Sequence, residues 1–209
     1  MKDDGWLTDG PREAAITVVL AHGAGAAMDS PFMNTVAAGL AREGLRVVRF
    51  EFPYMRSRRT GGKRAAPDRE PVLIQAWREV IGRLGGGERL VIGGKSMGGR
   101  IASMVADEAG VRGLVCLGYP FHPPGQPAKL RVKHLETIRT PALVVQGTRD
   151  QFGSLEDVRS YKLSPNVRVV WIEDGDHSLK PRARSGRTEA ENLAAAVAAV
   201  VEFAKGLSN

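Results

Sequence analysis

The sequence predicts a single α/β domain: a three-layer sandwich in which about six mostly parallel strands carry helices on both faces. Short apolar runs of strand length alternate with longer segments whose apolar residues recur at helical spacing. The runs are rich in Val, Leu and Ile with little polar alternation, which is typical of parallel strands buried on both faces. The 209 residues, 43% of them hydrophobic and 25% charged, suffice for one core and leave no room for a second domain of ordinary size. We therefore predict one domain over residues 1–209.

The predicted strands and helices alternate along the chain, as right-handed βαβ crossovers require. The predicted strands are Ile16–Ala21, Leu45–Phe50, Arg89–Gly93, Gly113–Leu117, Ala142–Gln146 and Val167–Ile172. The predicted helices are Phe32–Arg42, Pro71–Leu84, Met97–Glu108, Leu155–Tyr161 and Glu189–Ala204. Composition marks Tyr54–Glu70 and the proline-rich Tyr119–Ala128 as loops.

Composition and charge exclude some classes of protein and leave others open. No apolar run reaches the roughly 18 residues of a membrane span, and Met1–Trp6 is too polar to begin a secretory signal. The one cysteine, Cys116, cannot form an internal disulfide and lies in an apolar run. We therefore expect a cytoplasmic protein without a membrane partner. The net charge of +7 suits acidic substrates or nucleic acid and does not choose between them.

A serine stands between the strand Arg89–Gly93 and the helix that follows it, in the pattern Gly94-Lys95-Ser96-Met97-Gly98. A sharp strand-to-helix turn exposes the serine Oγ at a helix N-terminus, where backbone N–H groups face developing negative charge. Such a turn is crowded, so small residues are needed two positions before and after the serine. Gly94 and Gly98 occupy those positions, and we predict that Ser96 is a nucleophile.

A carboxylate and a histidine follow later strands at the same edge of the predicted sheet. Asp150 comes shortly after the strand Ala142–Gln146, and His177 follows Val167–Ile172. Parallel strands gather functional groups outside their carboxyl ends, so these side chains should meet Ser96. The sequence therefore predicts a Ser96–Asp150–His177 triad, with Asp174 and Asp176 as fallback acids.

Backbone N–H groups for a tetrahedral oxyanion are expected from two places. Met97, directly after the nucleophile, supplies one. The loop that follows the first strand, His22-Gly23-Ala24-Gly25, supplies the second, with Ala24 preferred and Gly25 as the reserve. These three residues form the predicted oxyanion hole.

Two nucleotide-binding patterns compete for the same glycines. A phosphate-binding loop ending in Gly94-Lys95-Ser96 would need a glycine where Arg89 stands and a loop where the strand lies. A dinucleotide fingerprint beginning at Gly23 would need a small residue in place of Met28. We therefore expect no cofactor, and no metal, because no His, Cys and carboxylate cluster has metal-ligand spacing.

These motifs share an order and spacing with a known superfamily. The segments concerned are His22-Gly23-Ala24-Gly25, Phe52-Pro53-Tyr54, Gly94–Arg100, Gly118–Pro123, Gln146–Asp150 and Gly175–Ser178. Together they resemble the α/β-hydrolase superfamily, in particular a small lidless branch related to the dienelactone-hydrolase group. That branch also contains hydrolase-like subunits of chromatin-modifying complexes. The resemblance spans most of the chain and implies the same triad and oxyanion hole; it implies no particular substrate.

The segment Tyr119–Thr140 stands where larger α/β-hydrolases insert a lid, and it is too short to form one. We expect a minimal fold without a lid. Because few residues precede the first predicted strand, we also expect the two leading antiparallel strands usual in this superfamily to be missing or vestigial. Tyr119, Phe121 and His122 follow a strand end and are predicted to line the substrate pocket. His22 is grouped with them, although we favour a structural role in which its ring nitrogens order its own loop.

Basic residues cluster in the predicted loop Tyr54–Glu70. They are Arg56, Arg58, Arg59, Lys63, Arg64 and Arg69. A charge run of this kind is usually a solvated loop. Because the loop emerges at the same sheet edge as Ser96, the functional alternative is that it steers anionic substrates towards the triad.

The sequence thus predicts a serine hydrolase that cleaves a small soluble ester, thioester or related acyl substrate through an acyl-enzyme on Ser96. The alternative is a catalytically idle fold that serves as a binding or scaffold module. Nucleic-acid binding ranks last, because only Tyr54 among the aromatic residues adjoins the basic cluster.

Overall fold

The computed structural model describes residues 5–63 and 66–207. Arg64 of the basic cluster and the N-terminal Met1–Asp4 lie outside the described residues. The strands are β1 (Leu7–Asp9), β2 (Thr17–Ala21), β3 (Arg46–Phe50), β4 (Leu90–Lys95), β5 (Gly113–Leu117), β6 (Ala142–Gly147) and β7 (Val167–Ile172). The helices are α1 (Pro31–Arg42), α2 (Pro53–Arg59), α3 (Glu70–Arg83), α4 (Met97–Val105), α5 (Leu155–Arg159) and α6 (Glu189–Gly206).

The strands form one mostly parallel sheet in the order β1-β3-β2-β4-β5-β6-β7. The six predicted strands, β2 to β7, are parallel, and the fold class predicted from the sequence is confirmed. Among the described residues the sheet also has a seventh strand, β1, whose position was not predicted and which pairs antiparallel with β3 from Leu7 to Asp9, as a vestigial leading strand would. Three residues are too short for an apolar pattern, and an ion pair of 2.9 Å between Asp9 and Arg49 of β3 helps to hold them.

Each face of the sheet carries its own hydrophobic core. Along β3, Val48 packs into the core under α3 and α4, whereas its neighbour Val47 packs into the core under α1 and α6. Successive side chains of a strand point to opposite faces, so strands buried on both faces need apolar residues at every position. This double burial explains the Val-rich runs of the sequence.

The segment predicted as a loop after β3 begins with the helix α2, which corrects that prediction. Pro53 stands at the helix start, where its missing N–H and fixed φ are favourable. Only Tyr54 and Met55 are buried, and the four residues that follow them are exposed and mostly basic, so no apolar periodicity marks this helix in the sequence. Among the helices of the described residues, none is long and apolar enough to cross a membrane.

Candidate active site

Ser96 occupies a strained turn between β4 and α4. Its φ of 51° and ψ of −116° are unusual for a residue with a side chain, at a cost on the order of 1–3 kcal/mol. A Cβ atom at Gly94 or at Gly98 would collide with the backbone oxygen of Ala21 on β2. The turn can therefore approach the neighbouring strand only with glycine at both positions, as the sequence indicates.

The structure brings Ser96, His177 and Asp150 together in one hydrogen-bonded chain. The Ser96 Oγ lies 2.8 Å from His177 Nε2, and His177 Nδ1 lies 2.8 Å from Asp150 Oδ2. Asp150 is fully buried, and its carboxylate also accepts hydrogen bonds from the Gln146 side chain (2.9 Å) and the Phe152 N–H (2.9 Å). A carboxylate can only accept, so His177 carries its proton on Nδ1 and leaves the Nε2 lone pair facing Ser96.

The two fallback acids serve the loop that carries His177. Asp174 is bound by Arg182 and Arg149, and the hydrogen bonds from Arg182 lower the pKa of Asp174 to about 2. Asp176 Oδ1 accepts from the backbone N–H groups of Ser178 (2.7 Å) and Lys180 (3.0 Å). Neither carboxylate is hydrogen-bonded to the His177 ring. Of the three candidate acids, Asp150 is the one placed behind the histidine.

An open cavity of about 380 Å³ adjoins Ser96 and His177. Its wall is mostly apolar and combines the loop after β2, the start of α1 and the loop after β6. Phe32, Lys95 and Phe152 are among the lining residues that were not predicted from the sequence. The Phe152 ring packs against the His177 ring at a centroid distance of 4.1 Å, and its position two residues after Asp150 was the available sequence signal.

Two buried side chains hold the backbone carbonyls of the loop after β2. His22 Nδ1 donates to the Gly23 carbonyl (2.7 Å), and Tyr54 Oη donates to the Ala24 carbonyl (3.0 Å). In a trans peptide the N–H points opposite to the carbonyl of the preceding residue. Fixing these carbonyls therefore turns the N–H groups of Ala24 and Gly25 the other way, and both residues line the cavity beside Ser96.

Tyr54 keeps its phenolic proton for this contact, because burial raises its pKa to about 12. The third predicted donor, Met97, is the first residue of α4. The N–H groups of a first helical turn have no partner within the helix, so the Met97 N–H is available to a ligand. Ala24 and Gly25 line the Ser96 cavity and Met97 adjoins Ser96 in the chain, so the oxyanion hole stays a prediction.

The four predicted pocket residues do not line the cavity, which corrects that expectation. His22 is fully buried, and its Nε2 accepts from the Phe52 N–H (3.2 Å), so both ring nitrogens serve the loop. Burial also lowers the His22 pKa. Tyr119 and Phe121 are fully buried in the core under α4, and His122 bonds the Pro123 carbonyl through Nδ1 (2.9 Å). The segments that follow β2 and β5 turn these side chains inward, and the position of a residue after a strand end did not reveal that direction.

The basic cluster divides into one paired residue and a group of exposed ones. Arg59 binds the buried Glu51 (2.7 Å) and also Asp29 (2.8 Å), and these contacts raise its pKa. Arg56, Arg58, Lys63 and Arg69 are exposed. Arg58 and Arg59 line a separate cavity of about 320 Å³ that meets the Ser96 cavity at Gly25. Steering of substrate by this cluster stays a prediction.

Comparisons with known proteins agree with this architecture. A family model described as an alpha/beta hydrolase domain matches residues 14–205. An alpha-beta serine hydrolase homologue from Coxiella burnetii superposes with a TM-score of 0.71 at 21% identity, covering 93% of this chain and 90% of that chain. XC6422 from Xanthomonas campestris, an a/b serine hydrolase without lid, gives 0.69 at 19% identity, covering 94% and 87%.

A further similar structure is the esterase domain of a Rhodothermus marinus protein. Its TM-score is 0.68 at 16% identity, and the match covers 95% of this chain and 91% of that chain. At these identities the structural likeness shows a shared fold.

Proposed function

The chain belongs to the α/β hydrolase family, and we propose that it is a serine hydrolase that cleaves a small soluble ester, thioester or related acyl compound. The observation that carries the proposal is the chain of hydrogen bonds from Asp150 through His177 to Ser96 at the mouth of a cavity. An esterase domain among the structural neighbours is consistent with it.

In the proposed reaction, Ser96 Oγ attacks the carbonyl carbon of the substrate while His177 Nε2 takes the hydroxyl proton. Asp150 holds the imidazole by its Nδ1–H and stabilises the imidazolium that forms. The carbonyl oxygen becomes an oxyanion, which the N–H groups of Met97 and Ala24, with Gly25 in reserve, would receive. Each such donor is worth roughly 3 kcal/mol of barrier.

Collapse of the tetrahedral intermediate breaks the bond to the leaving group, which takes the proton from His177. The acyl group then remains on Ser96 Oγ as an ester. Water attacks this acyl-enzyme while His177 again accepts a proton, and the acid is released as Ser96 regains its proton. The steps require no group beyond those of the site and water.

The arrangement of the side chains favours an enzyme over a catalytically idle binding module. A buried carboxylate behind the histidine and a strained serine in front of it both cost stability, and a scaffold would gain nothing from them. Within the described residues, the segment between β5 and β6 forms only a 3-10 turn, Lys133–Glu136, so no lid covers the cavity. We therefore expect short acyl chains to be preferred in a C2 to C12 series of p-nitrophenyl esters.

The test is hydrolysis of p-nitrophenyl acetate by the wild type, Ser96→Ala and Ser103→Ala. Ser103 is the matched control, because it is also in contact with a histidine but lies buried in α4. The proposal expects loss of activity in Ser96→Ala alone, with unchanged unfolding temperatures. Activity in Ser96→Ala close to that of the wild type would overturn it.

A further inference from the structure

Among the described residues that line the Ser96 cavity, Lys95 is the only lysine, and the lining includes no arginine and no carboxylate. It precedes the nucleophile at the end of β4 and is half-buried. Its Nζ donates a hydrogen bond to the backbone carbonyl of His177 and lies 5.5 Å from the centre of the Phe32 ring. An ammonium group has three donors, so this carbonyl leaves others free for a ligand.

The Lys95 charge has no carboxylate partner at contact distance among the described residues. Arg59, by comparison, binds two carboxylates. Burial lowers the Lys95 pKa to about 8, while Asp150 and Asp176 act on it from farther away and favour the charged form. At neutral pH the group is therefore mostly protonated, and it sits in an otherwise uncharged, largely apolar wall.

A cation at this place opposes the charge that the proposed reaction develops, because the carboxylates that act on it, Asp150 and Asp176, lie farther away and accept hydrogen bonds from other groups. His177 gains a positive charge each time it accepts the Ser96 proton, and Lys95 Nζ lies against the backbone of the same residue. Like charges in a site of low dielectric repel, which raises the energy of the imidazolium. A negative charge on the bound substrate, next to Nζ, would remove this repulsion.

We propose that Lys95 binds a carboxylate of the substrate, so that the enzyme prefers acyl compounds carrying one negative charge. The inference rests on the proposed function and deepens it by naming a substrate class. A single cation without a second basic side chain in the cavity wall matches the single charge of a carboxylate rather than the near-double charge of a phosphate monoester. Lys95, and not the exposed arginines of α2, is the residue that selects for charge.

Two pairs of esters test the proposal with the carboxylate on either side of the scissile bond. The first pair is 4-carboxyphenyl acetate and its methyl ester, and the second is phenyl hydrogen adipate and its methyl ester. For each pair, kcat/KM of the anionic ester is divided by that of the neutral one, in the wild type, Lys95→Met, Lys95→Arg and Arg58→Gln. Comparing this ratio among variants cancels the intrinsic reactivity of the esters and any general loss of activity.

We expect the ratio to fall at least about tenfold in Lys95→Met for one of the two pairs, because a buried charge contact is lost. The ratio should be largely retained in Lys95→Arg, which keeps the positive charge. It should also be retained in Arg58→Gln at 0.15 M salt, because Arg58 is exposed and its charge is screened beyond ~8 Å. In the wild type the ratio should also fall as the pH rises past about 8, when Lys95 loses its charge beside Asp150, Asp176 and His177.

Equal ratios in Lys95→Met and the wild type for both pairs would overturn the proposal. Absence of activity towards all four esters in the wild type would instead count against the proposed hydrolase function. If Lys95→Met is inactive, calorimetric binding of phenyl hydrogen adipate and of 4-carboxyphenyl acetate to Ser96→Ala and to Ser96→Ala/Lys95→Met decides. Weaker binding of either anion in the double variant supports the carboxylate site, and equal affinity for both refutes it.

Discussion

Two Ser–His pairs lie in this molecule at the same distance and in different surroundings. Ser96 Oγ is 2.8 Å from His177 Nε2, and Ser103 Oγ is 2.8 Å from His134 Nε2. Ser96 stands at the strained turn before α4 and lines a cavity, whereas Ser103 lies within α4 and is buried. The distance between serine and histidine therefore does not distinguish the two pairs.

The direction of the hydrogen bond distinguishes them. Ser103 Oγ donates its one proton to the Arg100 carbonyl (2.6 Å), so the contact with His134 requires the imidazole to donate. A ring nitrogen that donates has no lone pair with which to accept a proton. At His177 the Nδ1–H donates a hydrogen bond to the buried Asp150, and Nε2 faces Ser96 as an acceptor. The third residue behind the histidine decides which pair can act as nucleophile and base.

The largest expected difference between the pairs is in the two histidines. His177→Ala should lower kcat for p-nitrophenyl acetate by roughly 10⁵-fold, since triad members act as a unit. His134→Ala should stay within about twofold, because its ring makes no contact with Ser96 or the cavity. Steady-state kinetics on both variants measure the difference. Comparable losses of kcat in His177→Ala and His134→Ala would contradict the distinction between the two Ser–His pairs.

Asp150→Asn tests the part of the comparison that depends on the third residue. An asparagine can offer its NH₂ to Nδ1 and so impose the wrong imidazole tautomer, which should reduce kcat by about 10⁴-fold. The substitution can also weaken the hydrogen bonds that this side chain accepts from the Gln146 amide and the Phe152 N–H. Thermal unfolding is therefore recorded beside kcat. A folded Asp150→Asn enzyme with nearly wild-type kcat would show that Asp150 does not orient His177.

Tyr54→Phe tests the predicted oxyanion hole, which belongs to the Ser96 pair and not to the Ser103 pair. Loss of the hydroxyl frees the Ala24 carbonyl and relaxes the N–H groups beside Ser96. Removal of one oxyanion-hole donor lowers kcat by about 10²- to 10³-fold. A variant that only loosens the donors should therefore lose about tenfold in kcat, with little change in KM. Tyr161→Phe, at a half-exposed tyrosine packed on Phe121, is the matched control. An equal kcat in both variants would contradict a role for Tyr54 in positioning the loop.

The smallest effect is expected from charges outside both pairs. Arg56→Gln/Arg58→Gln removes exposed cations of α2 and should change kcat/KM for an anionic ester by no more than about twofold, at low salt only. Arg59 is left unchanged, because it holds Glu51 and Asp29. The salt dependence of kcat/KM is the measurement. A large, salt-resistant loss in the double variant would move the selection for charge from Lys95 to α2.

The sequence predicted which functional residues follow a buried strand, but it did not predict the direction in which a side chain points. Ser96, Asp150 and His177 each follow a buried strand, and parallel strands end at one edge, so their meeting could be predicted. Tyr119 and Phe121 also follow a strand, yet they turn into the core. Lys95 stood inside the motif that was identified, but nothing in the sequence shows that its Nζ bends back to the His177 carbonyl.

Two short elements were not predicted from the sequence, for a related reason. The strand β1 and the helix α2 are too short to display a period, and both are fixed by contacts with distant parts of the chain. Asp9 of β1 pairs with Arg49, and the Tyr54 N–H of α2 donates to Asp68 (2.9 Å). Contacts of this kind depend on the tertiary structure, and a sequence pattern does not contain them.

The most direct test of the central claim is labelling of the folded wild-type protein with a fluorophosphonate, followed by peptide mapping. The Ser96–His177 arrangement predicts a single adduct on Ser96, absent from Ser96→Ala and from denatured protein, with Ser103 unmodified. No adduct on Ser96 under conditions where the protein is folded, or an adduct on Ser103 instead, would contradict the assignment of the nucleophile.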